Sequence, residues 1–128
     1  MRRQPARHYP RTARLNELVR EIVAEEIERI DDDRLDLVTV IRVIVEPDMR
    51  HAIVHYDSLG GPDDDADVTA ALADHRVRLQ AAIARQARTK RVPELAFRPD
   101  EVERSAARVE EILRRLRRDE SSSGEVDG

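Results

Sequence analysis

The apolar residues of this 128-residue chain change their period along its length, and that change constrains the fold more than any single motif. Leu15, Leu18, Val19, Ile22, Ile27 and Ile30 recur largely every three or four positions, which predicts an amphipathic helix with Thr12 as its N-cap. Asp31-Asp32-Asp33 ends it, because carboxylates are unfavourable against the negative end of a helix dipole. From Leu37 to Val45 the residues are mostly β-branched, and Pro47 has no N–H with which to continue a ladder. A strand therefore closes into the turn Glu46-Pro47-Asp48-Met49. A second strand from near Arg50 would put Ala52, Val54 and Tyr56 on one face and Ile53, His55 and Asp57 on the other, completing an antiparallel hairpin. Gly60-Gly61-Pro62 ends it.

A long helical segment is expected from about Ala66 to Ala87, with the acids Asp63 to Asp67 at its positive end. Its apolar stripe of Val68, Leu72, Leu79 and Ile83 contains a misplaced Arg76, so either Arg76 snorkels outward or the helix is not straight there. Pro93 and Pro99 bracket a short third strand, Leu95-Ala96-Phe97, and Val102 to Arg118 reads as a final, highly charged helix before a disordered end from Ser121. Helix, strand, strand, helix, strand, helix suits an α+β domain with helices on one face of a three-stranded sheet. With two tyrosines and one phenylalanine, the core must rest on Leu, Ile and Val.

No apolar run approaches the roughly 20 residues needed to cross a bilayer. The polar start through Arg14 lacks the apolar middle of a secretory signal, so a cytoplasmic location is expected. Without cysteine there are no disulfides, thiolate ligands or cysteine nucleophiles. The formal net charge of −4 argues at first against a nucleic-acid partner, but the charges are segregated. Arg2, Arg3, Arg7, Arg11 and Arg14 occupy a segment with no acid, and so do Arg76, Arg78, Arg85, Arg88, Lys90 and Arg91. The acids gather in the aspartate runs, the first helix and the tail.

Nothing in the sequence reads as catalytic or metal-binding. His51 and His55 would stand about 13 Å apart along a strand, too far to share one ion. The aspartate runs lack the glycine and distal glutamate of a calcium loop, and Gly60-Gly61 lacks the lysine of a phosphate-cradling loop. No serine stands in a nucleophile elbow. No metal, no cofactor and no enzymatic activity are therefore expected.

Val38-Thr39-Val40, then Glu46-Pro47-Asp48-Met49-Arg50-His51-Ala52, then Arg91-Val92-Pro93-Glu94-Leu95-Ala96-Phe97 resemble ribosome-binding factor A in order and spacing. Arg14-Leu15-Asn16-Glu17-Leu18-Val19-Arg20-Glu21 resembles that family's opening helix, and Asp100 with Glu103-Arg104-Ser105-Ala106-Ala107-Arg108-Val109 its closing segment. The resemblance covers about Arg11 to Leu113. It implies a single KH-like (type II) domain over residues 11–118, between a flexible basic arm at 1–10 and a disordered tail at 119–128. It also implies a kink between two central helices where the family carries alanine, any residue, then glycine. Here His75-Arg76-Val77 stand at those positions, so a kink without the glycine is expected.

The resemblance implies a ribosome assembly factor that binds the small ribosomal subunit and its ribosomal RNA (rRNA), assists late maturation and processing of that RNA, and works as a monomer. Candidate phosphate contacts are Arg76, Arg78, Arg85, Arg88, Lys90 and Arg91, with Arg7, Arg11 and Arg14 of the N-terminal segment. Arg50 joins them through the family motif, although an Arg-His pair beside a turn more often fixes the hairpin. The rival readings are a KH-like module for another RNA and a protein-interaction or dimerisation module.

Overall fold

The computed structural model describes residues 4–127, with side chains from 12 to 120. Its elements are α1 (Gln4–Glu28), β1 (Val38–Val45), β2 (His51–Ser58), α2 (Asp65–Asp74), α3 (Arg76–Ala87), β3 (Glu94–Pro99) and α4 (Glu101–Asp127). Single 3-10 turns stand at Asp33–Leu35 and Gly61–Asp64. β1 and β2 pair antiparallel, with Val45 opposite Ala52, and a bulge interrupts the register between Val40 and Arg42. The Met49 N–H donates to the Glu46 carbonyl at 2.8 Å, and Asp48 Oδ1 accepts the Arg50 N–H at 2.8 Å, so the expected turn closes with Met49 at φ 62°.

β3 runs parallel to β2, with Val54 beside Phe97, giving the order β1-β2-β3. A parallel neighbour cannot be reached by a tight turn, so the chain must cross over, and α2 and α3 form that crossover. The alternation expected in the strands sends Val43, Val45, Ala52, Val54, Tyr56, Leu95 and Phe97 into the core. They meet Val19, Ile22, Val23 and Ile27 of α1 and Val68, Leu72, Leu79 and Ile83 of α2 and α3. Burying each large aliphatic side chain contributes roughly 1.5–3 kcal/mol, the main support of a core so poor in aromatics.

The segment expected as one helix breaks at His75, at φ −102° and ψ 11°. The His75 N–H still reaches the Ala71 and Leu72 carbonyls, and its own carbonyl accepts from Leu79, so the ladder is bent rather than lost. The kink forms without glycine because side chains hold it. His75 Nε2 lies 3.0 Å from Asp32 Oδ2, and Asp32 takes Arg34 at 2.7 Å. Those hydrogen bonds, Arg34 first and His75 second, hold the Asp32 carboxyl well below the usual carboxylate range. Arg76 does not snorkel into water: its guanidinium carbon sits 5.9 Å from the Phe97 ring centroid.

Both terminal helices run past their expected limits. α1 begins at Gln4 instead of after Thr12, with Pro5 in the first turn, where its missing N–H costs nothing. α4 continues beyond Arg118 to Asp127. Extending an existing helix is far easier than nucleating one, and this propagation the local composition did not reveal. The side chains of most residues assigned to the flexible arm and disordered tail lie outside those described.

α4 leaves the end of the sheet and is fixed at its root. Asp100 Oδ1 accepts the N–H groups of Val102 (3.0 Å) and Glu103 (3.3 Å), and its other oxygen accepts from Arg42. Buried Arg104 reaches Asp57 at 3.0 Å and Asp65 at 2.6 Å while lying over the Tyr56 ring. Beyond that root Val109, Ile112, Leu113 and Leu116 are exposed. Among the described residues, no helix is long and apolar enough to cross a membrane.

Candidate nucleic-acid interface

Glu26 falls on the buried stripe of α1, next to Ile27 and one turn after Ile22 and Val23, and is only 5% exposed. An ionised carboxylate there needs compensation, because burial without partners costs several kcal/mol. α3 supplies it. Arg78 Nε donates to Glu26 Oε2 at 2.7 Å, Arg85 Nη2 stands 3.9 Å from Oε1, and Arg29 of α1 adds Nη1 at 3.3 Å. The Arg78 hydrogen bond outweighs burial and, with Arg29, holds the Glu26 carboxyl below its ordinary range. The three arginine side chains nevertheless remain 61% (Arg29), 45% (Arg78) and 62% (Arg85) exposed. One acid thus gathers three guanidinium groups, Arg78 and Arg29 by hydrogen bonds and Arg85 at ion-pair distance, and all three keep much of their surface in solvent.

The other candidates divide by position. Arg88 is exposed and ends α3 in the left-handed conformation (φ 55°, ψ 37°), a position that ordinarily favours glycine. Lys90 and Arg91 follow on the exposed connection to β3, where Thr89 Oγ1 donates to the Arg91 carbonyl at 2.8 Å. Arg50 is exposed at the hairpin turn, and its carbonyl accepts the Glu94 N–H at 2.7 Å. Arg14 is exposed two residues before Asn16, whose side chain accepts the Val45 N–H at 2.9 Å. Arg14, Arg50, Lys90 and Arg91 therefore come to the same end of the sheet. Arg76 is apart from all of these, turned toward Phe97 under α3. The side chains of Arg7 and Arg11 lie outside the described residues.

Arg29 and Glu26 escaped the sequence reading. The available signal was an acid at a core position of an otherwise apolar stripe, which demands a cationic partner from another element. Glu46, Asp48 and His51 form a further cluster, with ligand atoms within 4.8 Å of one another. Asp48 there already accepts from the Arg50 N–H and faces His51 Nδ1 at 3.2 Å, so it serves the turn.

A family model described as Ribosome-binding factor A matches residues 11–113. The chain belongs to the ribosome-binding factor A family. Ribosome-binding factor A of Methylobacterium radiotolerans is 43% identical over 123 residues, spanning 91% of this chain and 86% of that one. That of Acidothermus cellulolyticus is 39% identical over 108 residues, 84% of this chain and 72% of the relative. The crystal structure of ribosome-binding factor A from Thermus thermophilus superposes with a TM-score of 0.63 at 33% identity, covering 69% of this chain and 93% of that chain. A Thermus thermophilus ribosome-binding factor A homology model, fitted into a cryo-electron-microscopy map of a 30S complex, gives 0.55 at 34% identity over 65% and 88% of the two chains. The family's three-stranded α+β fold is the one described above.

Proposed function

We propose that this protein is a ribosome assembly factor that binds the small ribosomal subunit and its rRNA, assists late maturation and processing of that RNA, and does so without catalysis. The observation that carries the reading is the exposed guanidinium surface of Arg29, Arg78 and Arg85, continued by Arg88, Lys90 and Arg91, in a chain of the ribosome-binding factor A family. A relative fitted as part of a 30S complex supports the same partner.

Recognition is by shape and phosphate. Tyr56 and Phe97 are both buried, so among the described residues no tyrosine or phenylalanine ring is available for stacking on a base. Arg14 and Arg50 extend the contact at the end of the sheet, Arg7 and Arg11 add to it from the start of α1, and Arg76 supports α3 from beneath. The factor works as a cytoplasmic monomer, with residues 11–118 as the RNA-binding domain.

Co-sedimentation with purified small subunits across a salt series tests this. The logarithm of affinity should fall against log salt with a slope of roughly −2 to −4, for about three to six phosphate contacts. Changing Arg78, Arg85 and Arg88 together to glutamate should abolish binding. A chain that ignores subunits yet binds another RNA with the same salt dependence would favour the other KH-like reading. Salt-independent association, or elution as a dimer, would favour a protein-interaction module.

A further inference from the structure

The buried carboxylate between α1 and α3 does more than neutralise charge. Glu26 accepts from Arg78 through Nε, the guanidinium nitrogen nearest the backbone, and the Arg78 Nη2 also lies 3.5 Å from the Arg29 carbonyl. Arg78 is thereby held by one edge, with its opposite edge left outward. Arg29 meets the other Glu26 oxygen through a single terminal nitrogen, and Arg85 stands 3.9 Å from that oxygen, two helical turns further along α3. A free arginine on a helix surface samples many rotamers and loses that freedom when it grips a phosphate. Here the loss has been taken during folding, around an acid that RNA cannot reach.

We propose that Glu26 is the positioning residue of the RNA-binding face, fixing Arg78, Arg85 and Arg29 as one preorganised phosphate clamp, and that Arg29 belongs to the contact set. The inference rests on the reading of this face as the rRNA-binding surface. It has a consequence that charge counting reverses. Glu26 is the one acid in contact with these three arginines among the described residues, and it lies behind a surface meant for phosphate. If only net charge mattered, its neutralisation would tighten binding. If positioning matters, neutralisation loosens the guanidinium groups and binding weakens.

The test is a double-mutant cycle on the full chain, with affinity for purified small subunits measured at one fixed, low salt concentration. E26Q should weaken binding by roughly tenfold, in keeping with two or three side chains returned to free rotation. In an R29A/R78A/R85A background, the same substitution should change affinity by less than about twofold, because the groups it positions are gone. A merely structural role would give equal losses in both backgrounds and would overturn the proposal. So would unchanged or tighter binding by E26Q. If R85E/R88E/R91E also leaves binding intact, the face itself is wrong, and this failure is distinct from that of Glu26 alone. Should E26Q fail to fold, the native protein still decides. Its free-state NMR spectrum should show the Arg78 Nε–H as a resolved, slowly exchanging resonance, whereas rapid exchange like that of a free arginine would contradict the clamp.

Discussion

Two regions of this molecule are built on the same bond and put it to opposite use. Between α1 and α3, one buried acid, Glu26, is ringed by three largely exposed arginines, and the excess positive charge faces outward. At the root of α4, one buried base, Arg104, is ringed by Asp57 and Asp65 and capped by Tyr56, and its charge is spent inside the protein. The arithmetic of signs differs, and so does the geometry. The first arrangement leaves guanidinium donors free for a ligand; the second fastens a helix to the end of a sheet. A basic residue's place in the count of Lys and Arg therefore says little until its partner and exposure are known.

The largest effect that would sharpen this contrast is at the α4 root. Arg104→Met leaves two aspartates facing each other, and it should cost about 2–3 kcal/mol in urea unfolding, less than a fully buried pair because both acids keep some solvent. Subunit affinity should change little, since Arg104 offers nothing to a ligand. A stability loss within about 0.5 kcal/mol would erase the distinction between the two regions.

Asp100 comes next. Burial alone would raise its carboxyl, but Arg42 and the Glu103 and Val102 amides more than reverse this and hold it below its ordinary value of 3.8. A depressed carboxylate contributes stability that is complete above that ordinary value and is lost as pH falls through the lower, folded one. Asp100→Asn should cost about 1–2 kcal/mol at neutral pH, through the lost charge on the α4 cap and on Arg42. The difference from the native protein should shrink as unfolding is repeated toward about pH 3. A gap that widened in acid would contradict the assignment.

The smallest effect lies at the end of α3. Arg88 holds a left-handed conformation that glycine adopts without strain, so Arg88→Gly should raise stability by roughly 0.5–1 kcal/mol while weakening subunit binding. Thermal unfolding and co-sedimentation of the same sample check both halves. Loss of stability would mean that the side chain supports the fold rather than the surface.

Much of this architecture is legible in the residues. The alternation of Ala52, Val54 and Tyr56 announces their buried face, Pro47 and Pro93 mark where ladders stop, and Arg76 inside an apolar stripe signals the bend at His75. The ends of α1 and α4 were not legible, because helix propagation depends on the turns already formed rather than on local preference. The candidate site was legible only as a list of cations. Its division, with Arg78 and Arg85 on Glu26, Arg76 over Phe97, and Arg50 beside β3, depends on contacts between residues as many as 59 positions apart. Short-range periodicity carries no information about such pairs. Glu26 went unread although a signal existed: an acid among Ile22, Val23 and Ile27 falls at a core position and needs a base.

The most direct test of the central claim compares equal charge changes on two helices that expose arginine. R85E/R88E/R91E alters the α3 surface, and R114E/R115E/R118E makes the same change along exposed α4. Affinity for purified small subunits at one salt concentration should fall by about 100-fold or more in the first and stay within about threefold of native in the second. Equal losses in both would mean that total charge, not the face anchored by Glu26, holds the protein to RNA.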